Sequence, residues 1–248
     1  MNLLIRAELL KLKKNKLVYF GIILALLPLG LSALFMTGSD SFLLYGKYDL
    51  LGYTNGLFST VILGLGIYAI YFAFIVNSII SAEINADIIT YEIIGRNKRK
   101  NIYFAKMLTV VIFSIGFLLL ALLATVVGFE FLIKHTEHVG ITHSQYELGN
   151  FIYAIIYYFG MMIILSSLSF FGFGNGLVIG AFAVNLITMR LAAMDDFAPY
   201  IIGSPAYAGY SVYQNRYLEF LATHYILLIT LVGICVYVGY YYFKRRDF

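Results

Sequence analysis

Between residues 151 and 189 the chain runs for 39 positions without a charged side chain. At about 1.5 Å of rise per residue, one helix of that length would reach about 58 Å, nearly twice the roughly 30 Å of a bilayer's hydrocarbon core. The segment has to fold back on itself, and the stretch SFFGFGNGLVIG shows where: Gly172, Gly174, Asn175 and Gly176 supply the residues of a tight turn. Two spans follow, about 151–171 and 174–189, the second rather short. Four other runs meet the need for about 20 apolar residues directly, at about 17–36, 57–80, 107–129 and 225–243.

The whole chain is 61% hydrophobic and only 12% charged, far from the roughly half-apolar content of soluble domains. It is predicted to be an all-α polytopic membrane protein, a single transmembrane domain over residues 1–248 with six spans. The opening MNLLIRAELLKLKKNK, residues 1–16, sets Ile5, Leu9 and Leu12 on one side and most basic residues elsewhere, as an interfacial helix does. The apolar run behind it is too long for a signal peptide core of about 7 to 15 residues, so it is expected to stay in the membrane. The one cysteine, Cys235, lies in an apolar run, which leaves no disulfide framework and no thiolate cluster.

Basic residues fall on alternate loops. The amino end holds Arg6, Lys11, Lys13, Lys14 and Lys16, the second loop holds Arg96, Lys98, Arg99, Lys100 and Lys106, and the carboxyl end holds Lys244, Arg245 and Arg246. Only Lys47, Lys134, Arg190 and Arg216 are left for the other side. Positive loops are retained in the cytoplasm, so both termini and the second loop are expected there. Eight of the thirteen acids fall outside, so the net charge of +4 reports orientation and contact with anionic lipid, and nucleic acid is not an expected partner. Tyr237, Tyr240, Tyr241 and Tyr242, and Tyr153, Tyr157 and Tyr158, are placed as an aromatic belt at the two membrane faces.

The most charged stretch, SAEINADIITYEIIGRNKRKNIYFAK, spans residues 81–106. Ser81 is a plausible cap, Ile80, Ile84, Ile88 and Tyr91 line one helical face, Glu83 and Asp87 a neighbouring one, and Gly95 offers a stop before a basic turn. The pattern reads as a helix lying on the membrane surface, held by anionic headgroups or docked against a cytoplasmic partner.

Other polar groups are sparse. Asn77, Asn175, Asn185 and Glu130 are the only costly side chains within the spans, which disfavours a proton relay or an ion-driven pump. Gly172, Gly176 and Gly180, and Gly64 with Gly66, read as close-packing positions. An outer loop carries His135, Glu137, His138 and His143 without a constrained ligand geometry and reads as solvated rather than as a metal site. Asp195 and Asp196 have no nucleophile or base beside them, and no phosphate loop, nucleophile elbow or helical two-histidine zinc motif occurs, so the chain is not expected to be an enzyme.

The layout resembles that of a type-2 ATP-binding-cassette exporter permease. The family pattern after span two is a glutamate, a short helical segment, then an arginine and a lysine before span three; here Glu83, Asp87, Ile88, Arg99, Ile102 and Lys106 stand in those places. The glycine–threonine and proline of the common pattern are absent. The ending YYYFKRRDF, aromatic and then basic and acidic, is also similar to the family's. The resemblance implies that residues 81–94 form a coupling helix, with Glu83, Ile84, Asp87, Ile88, Tyr91, Glu92 and Arg99 meeting a separate ATPase. Two such ATPases would carry the ATP and Mg, with no cofactor on this chain, and a second permease chain, identical or a sister, would complete the pathway.

It further implies a multi-pass protein of the bacterial cell membrane with re-entrant outer helices in 191–224, where Pro199, Gly203, Pro205 and Gly209 break the pattern. Small permeases of this kind resemble those that expel antimicrobial or toxic amphipathic peptides, so peptide export or self-immunity is the expected function. Sodium, drug or lipid-linked export is the alternative cargo reading. A membrane-embedded enzyme using Asp195, Asp196 and the outer histidines, or a non-transporting anchor, are the rival classes.

Overall fold

A computed structural model of the chain describes residues 2–36, 49–55, 57, 67–94, 97–135, 145–192, 200–203 and 214–246. Every regular element among them is helical: α1 (Asn2–Lys14), α2 (Lys16–Ala25), α3 (Leu27–Met36), α4 (Leu50–Asn55), α5 (Ile67–Val76), α6 (Ala82–Asn85), α7 (Ile88–Ile94), α8 (Arg99–Gly128), α9 (Gln145–Ser169), α10 (Asn175–Ala192) and α11 (Gln214–Arg245). Wider π-type turns continue α5 through Asn77–Ser81 and α8 through Phe129–Ile133. Among the described residues, five helical stretches are long and apolar enough to cross a membrane: Lys16–Leu34, Ile67–Asn85, Arg99–Ile133, Phe151–Ser169 and Ala222–Arg245. The apolar part of α10, Asn175–Thr188, is shorter.

Local chemistry sets the joints. Asn15 is extended (φ −77°, ψ 123°) and its side-chain oxygen accepts from the Leu17 N–H, capping α2 and turning α1 away from the span. Its amide donates to Ser78 Oγ at 2.8 Å, so the elbow is tied to the π-type turns after α5. The expected fold-back falls between α9 and α10, where Gly172 (φ 77°) and Gly174 (φ 56°) take conformations that favour glycine.

In a bilayer, lipid tails satisfy apolar surfaces as well as other helices do, so packing and hydrogen bonds have to hold the bundle. An aromatic knot joins α5, α8 and α9: Tyr68 meets Phe117 edge-on at 4.7 Å, and Phe72 meets Tyr158 at 5.4 Å. The Tyr71 hydroxyl donates to the Leu17 carbonyl (3.0 Å), and that of Tyr103 to the Val236 carbonyl (3.0 Å).

The second half of the expected tyrosine belt is therefore corrected. Tyr153, Tyr157 and Tyr158 are buried among helices, because their rings fill the seams that α9 makes with its neighbours. Tyr237, Tyr241 and Tyr242 do face outward, and Arg245 stacks on the Tyr241 ring at 4.1 Å. Gly180 makes no close seam with the described residues, since an added Cβ there meets none of them within 4 Å. Gly64, Gly66, Gly95, Glu137, His138, His143, Asp195, Asp196, Pro199, Pro205 and Gly209 lie outside the described residues.

One end of the bundle gathers several helix ends. Ser81 Oγ donates to the Ser169 carbonyl (2.9 Å), the Asn85 amide to that of Gly172 (3.4 Å) and the Asn77 amide to Asn175 Oδ1 (3.4 Å). The α9–α10 turn, the end of α5 and the short helices α6 and α7 therefore meet there.

Candidate functional site

At that end, five charged side chains from four helices meet. α1 presents Glu8 and Lys11, three residues apart and so on adjoining faces; α6 adds Glu83, α7 adds Glu92 and α8 adds Lys106. The Lys106 side chain has 0% exposure, and its ammonium donates to Glu8 at 3.1 Å and to Glu83. Lys11 donates to Glu8 (2.9 Å), Glu83 (3.0 Å) and Glu92 (2.7 Å). A buried ammonium costs several kcal/mol unless it is paired and hydrogen-bonded, which explains why carboxylates converge on it from three other helices. The three carboxylates offer oxygens within 4.8 Å of one another. A cation's place among them is already taken by the two ammonium groups.

The segment between the second and third spans is not one helix. At Asp87 the backbone turns to φ 55°, a left-handed conformation that aspartate tolerates better than most residues. The break rotates one half against the other. Ile80 and Ile84 are buried before it, and Ile89 after it, while Ile88 (41%), Tyr91 (73%) and Ile94 (72%) are exposed. The expected single stripe of Ile80, Ile84, Ile88 and Tyr91 is thus two stripes facing different ways. Ile88, Tyr91 and Ile94, three residues apart, form an apolar strip along one face of α7. The Asn97 amide donates to the Glu92 carbonyl (3.2 Å) and closes the helix end.

Arg99 does something else. Its guanidinium donates to the carbonyls of Lys244 and Arg246, both at 2.7 Å, and so satisfies acceptors that the last turn of α11 leaves without helical partners.

The model for ABC-2 family transporter proteins matches residues 4–189 of the 248, a stretch that contains all five members of the ion network. The chain belongs to the ABC-2 transporter family. No curated protein matches it, and no solved structure does. Permeases of this family work with ATPase subunits.

In this permease the candidate residues separate into two groups. Asp87, Ile88 and Tyr91 are open at the surface, whereas Glu83 and Glu92 face the lysines, Ile84 is buried, and Arg99 holds the carboxyl-terminal helix. Glu8, Lys11 and Lys106 complete the network, although the sequence pattern by itself places the first two only in a surface anchor. The available signal was the spacing of Glu8 and Lys11 beside the apolar Leu12 face of α1.

Burial alone would lower the Lys11 pKa, but hydrogen bonds to Glu92 and Glu8 and the charges of Glu8 and Glu83 outweigh it, raising it above the ordinary 10.5. A raised lysine stabilises the fold fully below its unfolded value, and that contribution is lost only as pH climbs through the folded one. The melting difference between wild type and Lys11→Met is therefore expected to be equal at about pH 7 and about pH 9, and to shrink only in stronger alkali. Circular-dichroism melts across that range check it.

Proposed function

We propose that this permease is the membrane half of an ATP-driven exporter of amphipathic peptides, such as a toxin or bacteriocin, and that a separate ATPase docks on the α7 strip. The supporting observation is the strip itself: Ile88, Tyr91 and Ile94 are exposed on a seven-residue helix whose other side is ion-paired to α1 and α8. Exposed tyrosine flanked by aliphatic side chains is the composition of an interface hot spot. Two ATPases would bring ATP and Mg, and a second permease chain, identical or a sister, would complete the pathway. In the same reading α10 is the fifth of six spans, residues 191–224 include re-entrant outer helices, and the network end with both termini faces the cytoplasm. Aromatic-lined spans suit an amphipathic cargo; sodium, drug or lipid-linked substrates are the alternative.

The test is co-purification of the tagged permease with the ATPase of its own system. Tyr91→Asp and Ile94→Asp are each expected to cut ATPase recovery tenfold or more, with melting temperatures unchanged because both side chains are exposed. Undiminished recovery in both variants would remove the docking proposal. Protection of cells against an amphipathic peptide, lost in the same variants, distinguishes peptide export from the other cargoes.

A further inference from the structure

We propose that a groove between α1, α2 and α8 holds one acyl chain of an anionic phospholipid, whose phosphate is met by Arg6 and Lys13. The groove has a volume of about 370 Å³ and is lined by Leu9 and Leu12 of α1, Val18 and Ile22 of α2, and Ile112 and Gly116 of α8, among other apolar residues. Two features of the chain create it. The elbow at Asn15 splays α1 from α2, and Gly116 presents no side chain to fill the wedge. A Cβ built on Gly116 meets nothing within 4 Å, so the space is open rather than packed.

An apolar cleft of this kind gives water no hydrogen-bond partners, and leaving it empty forfeits dispersion contacts along its walls. It begins at the elbow, where the surface helix passes into the first span, which is the depth at which a phospholipid changes from headgroup to tail. A tail entering there keeps its phosphate at the level of α1.

Charge identifies the headgroup. Arg6 lies three residues before Leu9 and Lys13 four after it, so both flank the groove-lining Leu9 on one helical face. Both are exposed, and neither pairs with a carboxylate among the described residues. Lys11, in contrast, is engaged in the ion network. Two uncompensated cations beside an apolar cleft complement one phosphate joined to a hydrocarbon chain. Each cation near an anionic headgroup is worth roughly a fivefold gain in affinity.

Native mass spectrometry of the full chain in detergent, titrated with phosphatidylglycerol or phosphatidylcholine of identical tails, tests this. Wild type is expected to retain one phosphatidylglycerol per chain, preferred over phosphatidylcholine by tenfold or more. Gly116→Leu places a side chain in the groove and is expected to lower retention of both lipids tenfold or more, with an unchanged melting curve. The double variant Arg6→Gln, Lys13→Gln is expected to lose the preference while still taking phosphatidylcholine. If Gly116→Leu fails to fold, Ile22→Phe fills the same space from α2.

Retention unchanged in a folded groove-filling variant overturns the site, and equal retention of the two lipids by wild type overturns the headgroup assignment. Loss of a dimer in Gly116→Leu, with lipid retention intact, would show a second copy of the chain covering the groove and would also overturn the proposal.

Discussion

A Lys106→Met chain is expected to lose about 3 to 5 kcal/mol of stability, the usual consequence of removing one partner from a buried ion pair. The Lys106 ammonium has no exposed surface, and its removal leaves Glu8, 3% exposed, with only the half-exposed Lys11 to balance it. One Glu8 oxygen is already buried without a hydrogen-bond donor, so the site has little spare capacity to absorb a second loss. Glu83 would lose its closest partner in the same step. Adding Glu8→Gln to the methionine variant removes the stranded charge and is expected to recover part of the loss, because neutralising both partners costs less than orphaning one. The chain has no tryptophan, so helical circular dichroism in detergent is the suitable readout. Equal stability of wild type and Lys106→Met would mean that the network contributes nothing to the fold.

Gly239→Leu is expected to be similarly damaging for a different reason. A Cβ on Gly239 would lie 2.7 Å from the Ser167 carbonyl oxygen and 3.1 Å from the Tyr103 hydroxyl. The first contact is with backbone, which cannot rotate away, so α9 and α11 have to part. Overpacking of a tight site costs typically 1 to 3 kcal/mol and sometimes more. It would also strain the Tyr103 hydrogen bond to the Val236 carbonyl, which links α8 to α11. Gly116→Ala supplies the control, since its Cβ meets nothing within 4 Å. Alanine is the better helix former by about 1 kcal/mol, so that variant is expected to be neutral or slightly more stable. Opposite signs at two helical glycines would separate close approach from propensity; equal effects would contradict it.

The elements easiest to read in the sequence were those fixed by length or by backbone sterics. A 39-residue run without charge has to turn, and Gly172 and Gly174 take the positive φ values that the turn needs. The break at Asp87 has no clear signature in the sequence, because the spacing of Ile80, Ile84, Ile88 and Tyr91 runs straight through it and aspartate's tolerance of left-handed backbone is too weak a local signal to override that period. The burial of Tyr153, Tyr157 and Tyr158 was hidden because an amphipathic ring suits a membrane face and a helix seam equally well. Within the site, Glu83 and Glu92 stood out as charges in a greasy chain, but the direction they face depends on Lys11 and Lys106, which are distant in sequence. Nothing local separates Lys11, which is paired, from Lys13, which pairs with no carboxylate among the described residues.

The order of the chain gives the ion network a place in time. Glu8 and Lys11 are synthesised first, Glu83 and Glu92 much later, and Lys106 last, so the most deeply buried charge is the final one to arrive. At translation rates of about 5 to 20 residues per second, the last carboxylate waits on the order of a second for it. Until then the three acids have only Lys11 among them and are best left in water, outside the bundle. Burial of this corner therefore marks a nascent chain whose third span has already entered, and a product truncated before Lys106 would keep its carboxylates exposed at the membrane surface.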